Sequence, residues 1–366
     1  MKSTKRPLVF VGMSGGVDSS VAALLLKRRD YDVVGVFIKV WDLKSCTWRE
    51  DRRDAMRVAV RLEIPLLTLD LSEEYKRGVV DYMIREYKSG RTPNPDVRCN
   101  REIKFGAFLN WAKAKGADYI ATGHYARLQS RPTSDLQLLT SKDQDKDQTY
   151  FLWTLGQDEL KHCLFPIGQY LKSETRTLAR KFKLPTAEKK DSQGLCFIGR
   201  LNFKEFLAEF LPKTTGEVLN TEGQVIGQHD GAAFYTIGER HGFTIIKKTA
   251  IDEPYYVIEK DVKKNTLIVS QKIIKNIKHR MFDIENPEVH LEPVNWISGE
   301  TPKLATYSAR SRYRQALEPV KILDTKSNTA KVRFHQPQSY LAPGQSLVLY
   351  DGPICLGGGV IDKIEN

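Results

Sequence analysis

The fold of this chain is decided by residues 8–20, which read Leu8-Val9-Phe10-Val11-Gly12-Met13-Ser14-Gly15-Gly16-Val17-Asp18-Ser19-Ser20. A short apolar strand leads into a glycine-rich turn, and a helix-like apolar run follows at residues 21–26. Gly15 and Gly16 carry no side chains that would keep an anion from the backbone, and the N–H groups at a helix start attract negative charge. Residues 12–19 therefore predict a phosphate loop at the carboxyl edge of a parallel sheet. The alternative is a glycine turn that only packs helix on strand.

The phosphate loop differs from the Walker type, because no Gly-Lys-Ser/Thr sequence closes it. No lysine of the loop is placed to hold a transferred γ-phosphate. Asp18 is predicted to bind magnesium or pyrophosphate. A carboxylate favoured by the helix dipole is the simpler interpretation of Asp18, and the two roles are compatible.

Length and composition predict a soluble protein of two or three domains. The chain has 366 residues, of which 41% are hydrophobic and 28% charged. No apolar stretch approaches the ~18 residues of a membrane span, and the basic N-terminus lacks the apolar core of a signal peptide. We therefore expect a cytoplasmic location and no membrane partner. The net charge of +12 suggests a polyanionic partner such as nucleic acid, although a balance of surface charge for solubility explains it equally well.

The first half of the chain alternates strands with helices, which indicates an α/β fold with a parallel sheet and helices on both faces. The predicted strands are residues 8–11, 33–38, 66–69 and 119–122. The predicted helices between and after them are residues 18–29, 50–62, 73–88 and 103–115. A polar hairpin is expected within residues 125–145, followed by helices at about 149–162 and 173–183.

The composition changes after about residue 200, where turn-separated strand pieces replace long helical patterns. From about residue 281 the short, evenly spaced strands indicate a small β-barrel. We therefore divide the chain into a nucleotide-binding and catalytic domain at residues 1–200, a small connecting domain at residues 201–280 and a C-terminal β-barrel at residues 281–366.

The five cysteines are scattered, and no two form a Cys-x-x-Cys pair; they are Cys46, Cys99, Cys163, Cys196 and Cys355. This spacing argues against zinc or a cysteine-ligated cluster, so no resident metal site is predicted. Cys99 is expected near a helix N-terminus between Arg98 and Arg101, with Asn100 able to cap the helix. Both effects favour the reactive thiolate, whereas the alternative is a small buried hydrophobe.

Three other features remain open on the residues alone. Cys196 lies in a segment that could be a buried strand. His124, which follows a predicted strand, could be an ordinary core histidine. If residues 308–315 form a strand, the alternating Arg310, Arg312 and Arg314 share one face that suits phosphate binding, with the Tyr313 ring on the other face; a solvated strand face is the alternative.

Six ordered motifs resemble those of the tRNA-specific 2-thiouridylases, a family of the ATP pyrophosphatase superfamily, and they span essentially the whole chain. They are Ser14-Gly15-Gly16-Val17-Asp18-Ser19, Pro93-Asn94-Pro95-Asp96 with Cys99, Ala121-Thr122-Gly123-His124-Tyr125, Lys146-Asp147-Gln148-Thr149-Tyr150-Phe151-Leu152, Ser192-Gln193-Gly194-Leu195-Cys196-Phe197 and Ala342-Pro343-Gly344-Gln345. The resemblance implies ATP-dependent adenylation of the 2-carbonyl of the wobble uridine in tRNA, followed by replacement of that oxygen with persulfide sulfur. A cysteine desulfurase or a sulfur-relay protein is the implied donor.

The resemblance also implies residue roles. Cys196 carries the persulfide, Cys99 is the nucleophile that completes sulfur release, and Asp96 acts as acid or base beside the target base. The implied nucleotide-binding residues are Gly12, Met13, Ser14, Gly15, Gly16, Val17, Asp18, Ser19, Ile38 and Gly123. The implied tRNA-binding residues are Asn94, Pro95, Asp96, His124, Lys146, Asp147, Gln148, Arg312, Tyr313 and Gln345. A disulfide between Cys99 and Cys196 is a plausible resting or product state if the two thiols share a site.

Two other functions compete with this interpretation. A ligase that adenylates a small molecule would use the same phosphate loop, but it leaves Cys99, Cys196 and the basic barrel unexplained. A noncatalytic RNA-binding module leaves the intact phosphate loop unexplained.

Overall fold

The computed structural model describes residues 6–40, 48–132, 135–190, 203–246, 253–271, 285–338 and 341–365. These residues form three β-sheets. Within these ranges no helix has both the length and the apolar character needed to cross a membrane. Cys46 and Cys196 lie outside the described residues, as do residues 192–195 and 197 of the motif around Cys196.

The first part of the chain contains seven strands and eight α-helices within the described residues. The strands are β1 (Leu8–Gly12), β2 (Asp32–Lys39), β3 (Leu66–Asp70), β4 (Tyr119–Ala121), β5 (Ala126–Ser130), β6 (Leu136–Thr140) and β7 (Cys163–Leu164). The helices are α1 (Val17–Lys27), α2 (Trp48–Leu62), α3 (Ser72–Tyr75), α4 (Asp81–Lys88), α5 (Pro95–Cys99), α6 (Phe108–Ala114), α7 (Gln157–Leu160) and α8 (Lys172–Lys181). Two π-helical segments, Lys76–Val80 and Asn100–Ala107, join α3 to α4 and α5 to α6.

The parallel sheet has the strand order β3-β2-β1-β4-β7. Alternate residues of β1 enter different cores: Val9 and Val11 pack with α1 and α2, whereas Phe10 packs with α6. Such a strand needs apolar residues on both faces, which explains its unbroken apolar run. The predicted α/β class and the four predicted strands are confirmed.

One helical prediction in this part is wrong. Residues 149–162 contain only a 3₁₀ turn, Thr149–Phe151, and the short α7. The reason is tertiary, because Tyr150 and Trp153 are buried and bond to the C-terminal barrel. The helix predicted at 173–183 is present as α8.

A second sheet is built from the middle of the chain, after α9 (Phe203–Ala208). Its strands are β8 (Gly216–Leu219), β9 (Val225–His229), β10 (Phe243–Ile245), β11 (Tyr256–Asp261) and β12 (Thr266–Ser270). Their order in the sheet is β10-β9-β8-β12-β11. The predicted absence of long helices holds for the described part of this region.

The C-terminal strands close into the predicted barrel. They are β13 (Glu288–Trp296), β14 (Thr306–Arg310), β15 (Glu318–Thr325), β16 (Ala330–Phe334), β17 (Ser346–Asp351) and β18 (Ile354–Glu365). Antiparallel pairing runs β13-β16-β15-β14-β17-β18, and a further β13–β18 pairing closes the ring. An apolar core that includes Val289, Val320 and Leu347 fills its interior.

The predicted hairpin of residues 125–145 is β5 and β6, and it has an unexpected partner. β6 pairs with β18, so that Leu138 lies opposite Cys355 and Leu139 opposite Ile354. The hairpin therefore extends the barrel's sheet to the part of the chain that contains the parallel sheet. No residue pattern within 125–145 indicates this long-range pairing.

Candidate active site

The phosphate loop is a tight turn that holds its own shape. The Ser14 and Ser19 hydroxyls lie 3.2 Å apart, and the Ser20 hydroxyl donates to the Gly16 carbonyl at 2.7 Å. No side chain caps α1 at Gly16, so capping does not consume the N–H groups of its first turn. The loop thus presents backbone donors at the positive end of an eleven-residue helix.

Gly15 is required by its surroundings. Its φ is +73°, and a Cβ there would clash with the Asp51 carbonyl oxygen and lie 2.9 Å from the carbonyl carbon. The start of α2 therefore forms one wall of the loop. Gly123, after β4, forms another, since a Cβ on Gly123 would lie 2.6 Å from the Ser19 nitrogen. This packing against α1 accounts for Gly123, while its contact with a nucleotide stays a prediction.

Met13 and Ile38 lie on the β2 side of the loop. Met13 is buried, and its backbone nitrogen donates to the Val36 carbonyl at 2.8 Å. Ile38 is half-buried near the carboxyl end of β2. An apolar surface there would suit the face of an adenine ring.

Asp18 is paired with a residue that sequence reasoning missed. Lys172 Nζ lies 2.7 Å from both carboxylate oxygens of Asp18, and the Tyr125 hydroxyl donates to Oδ1 at 3.0 Å. Burial and the Asp18 carboxylate raise the pKa of Tyr125. Lys172 is the first residue of α8, where a cation opposes the helix dipole. That unfavourable placement is the signal that could have marked Lys172 as part of an anion-binding site.

Helices α2 and α8 hold the residues that lead into the segment that carries Cys196. Lys189 Nζ bonds to Asp51 and Asp54 of α2 at 2.7 Å each, and Arg176 Nη1 donates to the carbonyls of Ala187 and Lys189. Since Asp51 is also the wall beside Gly15, the chain leaves the described residues, at residue 190, near the phosphate loop. Cys196 itself is outside the described residues, so its position relative to Cys99 stays a prediction.

Cys99 ends α5, and the helix around it begins earlier than expected. Asn94 is the N-cap: its side chain accepts a hydrogen bond from the Val97 nitrogen at 3.2 Å, with Pro95 in the first turn. The expectation that Asn100 caps this helix is wrong. Asn100 is buried inside the helical run, and its Nδ2 donates to the Phe151 carbonyl at 3.0 Å.

The surroundings of Cys99 are more apolar than its neighbours in sequence suggest. The residue is only 2% exposed and packs within the main apolar core. Arg98 faces away: its Nε donates to the Gly78 carbonyl, its Nη1 pairs with Glu102 at 3.2 Å and its guanidinium covers the Tyr82 ring. Arg101 also approaches Glu102, at 3.7 Å. Asp96 and Pro95 are half-buried in the first turn of α5. The nucleophilic role of Cys99 stays a prediction.

The predicted tRNA-binding segment around residue 147 is partly internal. Asp147 is 1% exposed, and four donors surround its carboxylate: the Ser141 and Thr149 nitrogens, the Thr149 hydroxyl and Arg310 Nη2. Its side chain thus holds the turn. Lys146 and Gln148 are half-buried, and the Gln148 side chain accepts from the Tyr125 nitrogen at 2.9 Å. Contact of these three residues with tRNA stays a prediction.

His124 occupies a core position. It is 7% exposed, its Nδ1 lies 2.8 Å from the Thr122 hydroxyl, and its ring packs against those of Phe105 and Phe165. Burial, with a smaller effect from Lys104, lowers its pKa well below the usual value. The imidazole is therefore neutral at pH 7. This geometry fits the interpretation of His124 as a core histidine.

The expected row of three arginines on one strand face is wrong. β14 ends at Arg310, and the chain then turns, because the Gln315 side chain accepts from the backbone nitrogens of Ser311 and Arg312. Arg310 points inward to Asp147 and is 5% exposed, whereas Arg312 and Arg314 are exposed. The Tyr313 ring is half-buried and packs 4.8 Å from the Phe151 ring, centroid to centroid.

Comparisons with known proteins agree along the whole chain. Residues 7–200 match the family described as tRNA methyl transferase HUP domain, residues 204–271 the corresponding PRC-barrel domain, and residues 286–361 the aminomethyltransferase beta-barrel domain. The tRNA-specific 2-thiouridylase MnmA of Listeria monocytogenes (strain EGD-e) is 46% identical over 97% of this chain and 95% of its own length. The chain belongs to the tRNA-specific 2-thiouridylase family.

Further relatives of this family are equally similar. The tRNA-specific 2-thiouridylase MnmA of Enterococcus faecalis is 46% identical over 99% of this chain and 97% of its own length. Among solved structures, the U34-tRNA thiolase NcsA of Methanococcus maripaludis is 15% identical, covers 57% of this chain and 66% of its own, and has a TM-score of 0.37. The family assignment stands on the full-length relatives.

Proposed function

We propose that this chain is an enzyme that uses ATP to replace the 2-oxygen of the wobble uridine in tRNA with sulfur. The observation that carries the proposal is the joining of two motifs by one helical run. Residues 95–114 form one continuous helical run, with Asp96 and Cys99 near its start and α6 at its end. In α6 the Phe108 ring lies 3.6 Å from the position that a Cβ on Gly12 would take, at the start of the phosphate loop. A group activated at the loop would thus lie on the same scaffold as the thiol.

The loop residues bind and orient the polyphosphate of ATP. The uracil 2-oxygen attacks the α-phosphorus, the bond to the β-phosphate oxygen breaks, and pyrophosphate leaves; the uridine then carries AMP on its 2-oxygen. The backbone donors of residues 15–19 and the Lys172 ammonium stabilise the charge that develops on the departing pyrophosphate.

Magnesium fits this arrangement. Mg²⁺ sites at nucleotides use one or two carboxylates together with phosphate oxygens. The Asp18 carboxylate is 31% exposed, and its bonds from Lys172 and Tyr125 do not use all its lone pairs, so it would hold the ion together with the phosphates. When bound, the ion neutralises phosphate charge. Among the described residues no cluster of three or more His, Cys, Asp or Glu side chains could hold a metal without such a ligand.

The sulfur steps use the two cysteines. The terminal sulfur of a Cys196 persulfide attacks the uridine C2, and AMP leaves with the former 2-oxygen. The Cys99 thiolate then attacks Sγ of Cys196, which breaks the sulfur–sulfur bond, releases 2-thiouridine and leaves a Cys99–Cys196 disulfide. A thiol reductant restores both cysteines. Asp96, which lies in the first turn of α5, is the group that we assign to move a proton at the base.

The remaining parts of the proposal concern partners and organisation. The sulfur donor is a cysteine desulfurase or a relay protein that carries a persulfide, and the enzyme works in the cytoplasm. Residues 1–200 form the catalytic domain, residues 201–280 connect it, and residues 281–366 contact tRNA. The exposed Arg312 beside the half-buried Tyr313 is the part of the barrel that best fits RNA.

The test combines the chain with unmodified tRNA, ATP, Mg²⁺ and a cysteine desulfurase with cysteine. We expect 2-thiouridine in the tRNA, with AMP and pyrophosphate as the other products. Cys196→Ser should abolish 2-thiouridine but retain tRNA-dependent pyrophosphate release in a single turnover, and Cys46→Ser, outside both cysteine motifs, is the matched control. Release of ADP would contradict the mechanism. AMP formation that requires a small acceptor and ignores tRNA would indicate the small-molecule ligase.

A further inference from the structure

The barrel is bonded directly to the segment that leads into the Cys99 helix. We call residues 91–94 the approach segment and residues 342–345 the barrel turn. Gln345 Nε2 donates to the carbonyls of Thr92 at 2.8 Å and Pro93 at 3.3 Å. In the other direction, the Thr92 nitrogen donates to the Pro343 carbonyl at 2.8 Å. Each segment therefore satisfies backbone groups of the other.

We call the contact between the approach segment and the barrel turn the seam, and neighbouring residues reinforce it. Arg91 donates to the Asp362 carboxylate at 2.8 Å and to the Ile361 carbonyl at 3.1 Å. Ile361 in turn exchanges backbone hydrogen bonds with the barrel turn, at Gly344 and Gln345, each 2.8 Å long. Gly344 has a φ of +94°, and a Cβ on it would lie 2.8 Å from the Thr92 nitrogen. The fit between the two segments leaves no room for a side chain at that position.

The seam is continuous with the cap of the Cys99 helix. Pro93 and Pro95 flank Asn94 and restrict the backbone on both sides of it. Asn94 caps α5 and interacts with the Tyr150 hydroxyl, which itself donates to the barrel carbonyls of Ser311 and Ser346. A shift of the Thr92 and Pro93 carbonyls would therefore change the direction in which α5 begins.

The side-chain amide nitrogen of Gln345 is hydrogen-bonded to the approach segment. A side-chain amide has two N–H donors, and the structure gives them two carbonyl acceptors on the approach segment. The side chain is half-buried between the barrel and the catalytic part of the chain. Both carbonyls lie within hydrogen-bond distance of Nε2, so the donor end of this side chain is engaged by the approach segment.

We propose that Gln345 is a positioning residue: it fixes the Thr92 and Pro93 carbonyls so that α5 holds Asp96 and Cys99 in register with the RNA-facing barrel. The proposal rests on the proposed function, since it assigns the barrel's part in that reaction. It differs from the tRNA contact predicted for Gln345 from resemblance. A tRNA contact would act on binding, whereas positioning acts on the chemical steps after binding.

The decisive variant is Gln345→Met, which keeps the side-chain length and removes both donors. The measurements are the Kd for tRNA, the single-turnover rate of thiolation at saturating tRNA, and the rate at which iodoacetamide alkylates Cys99, followed by mass spectrometry of its peptide. We expect an unchanged Kd within about twofold, a thiolation rate lowered about tenfold, and Cys99 alkylation several-fold faster, as loss of one or two hydrogen bonds allows. Gln336→Met, at an exposed amide of the same barrel, should change none of them.

A second variant keeps the test decisive if Gln345→Met folds poorly. Gln345→Lys is one atom longer and retains donors for the two carbonyls, so the thiolation rate should recover at least partly and Cys99 should again be protected. A weaker Kd in Gln345→Met with a normal rate at saturating tRNA would overturn the proposal in favour of a tRNA contact. Unchanged rate and unchanged alkylation would overturn it outright. If the wild-type chain makes no 2-thiouridine, the proposed function fails, while the alkylation of Cys99 still decides the positioning.

Discussion

The phosphate loop and the seam between the approach segment and the barrel turn are both tight backbone arrangements, but they are held at very different ranges. Hydroxyl groups within the loop bond to partners two to five positions away. In the seam, Gln345 bonds to residues 252 and 253 positions away. The turn of the loop is therefore formed by local hydroxyl bonds, although distant residues such as Asp51 and Lys172 surround it. The seam exists only when two distant parts of the chain are folded and docked. Binding of the nucleotide and placement of the thiol are thus separable properties.

The largest expected effect is a loss of adenylation when the shape of the phosphate loop is changed. Gly15→Ala should lower the rate of pyrophosphate release at least about 1000-fold, because the new Cβ would clash with the Asp51 carbonyl at a positive φ and force the loop open. The measurement is tRNA-dependent pyrophosphate release, with tRNA affinity measured alongside. Tight tRNA binding should persist, since the barrel and the seam are untouched.

Gly116→Ala is the matched control for this variant. Gly116 also has a positive φ, +83°, but no atom of the described residues lies within 4 Å of a Cβ on it. Only the backbone strain, about 1 kcal/mol, should appear, as a small loss of stability with normal adenylation. Equal loss of activity in the two variants would show that backbone strain alone, and not the Asp51 wall, explains Gly15.

The next effect is a loss of stability when the buried ion pair between Arg310 and Asp147 is broken. Arg310→Met should lower the free energy of unfolding by about 3 kcal/mol, because it leaves the Asp147 carboxylate buried without its cation. Denaturation with urea measures the loss. The double variant with Asp147→Asn should recover much of it, since no buried charge then remains. Full stability of the single variant would mean that the pair contributes little to the contact between barrel and catalytic part.

A smaller effect tests the core interpretation of His124 by its pH dependence. The pKa of His124 is lowered by burial, so the folded state resists a proton that the unfolded state binds below about pH 6.5. Its contribution to stability is therefore complete above pH 6.5 and falls, by up to about 1.4 kcal/mol per pH unit, as the pH drops below that value. His124→Gln should remove this part of the acid sensitivity in thermal unfolding between pH 7 and pH 5. If the pH dependence of stability is the same in His124→Gln and the wild type, the His124 imidazole is solvated and the core interpretation is wrong.

The smallest effect concerns the exposed arginine. If Arg312 contacts a tRNA phosphate, Arg312→Ala should weaken binding a few-fold and reduce the slope of log affinity against log salt by about one unit. ATP affinity should stay the same. Arg310→Met is the comparison, because its buried guanidinium should leave the salt slope unaltered. Equal slopes in all three proteins would move the RNA-binding surface away from Arg312.

These two regions also explain what could be predicted from the sequence. The phosphate loop was predictable because its glycines, hydroxyls and helix start act over a few residues. The parallel sheet followed from apolar strands with both faces buried, and the barrel from evenly spaced turns. Each of these signals is local, and each is confirmed as a fold element.

The failures have a common physical cause, which is a distant partner. Arg310 was expected on an exposed face and is instead paired with Asp147, 163 positions away. The helix near residue 149 is interrupted because Tyr150 and Trp153 bond into the barrel. Asn94 and Asn100 are both plausible caps by residue type, and the flanking Pro95 decides between them. Lys172 could be connected with Asp18 only by the fold, although its place at a helix start was a signal.

The pairing of β6 with β18 has a consequence for the making of the protein. Leu139 and Ile354 lie opposite each other although more than 200 positions separate them in the chain. At a synthesis speed of about 5–20 residues per second, the ribosome needs roughly 10–40 seconds between the two. During that time the edge of β6 that pairs with β18 has no partner strand. The sheet that begins in the part of the chain translated first is therefore completed only by the part translated last.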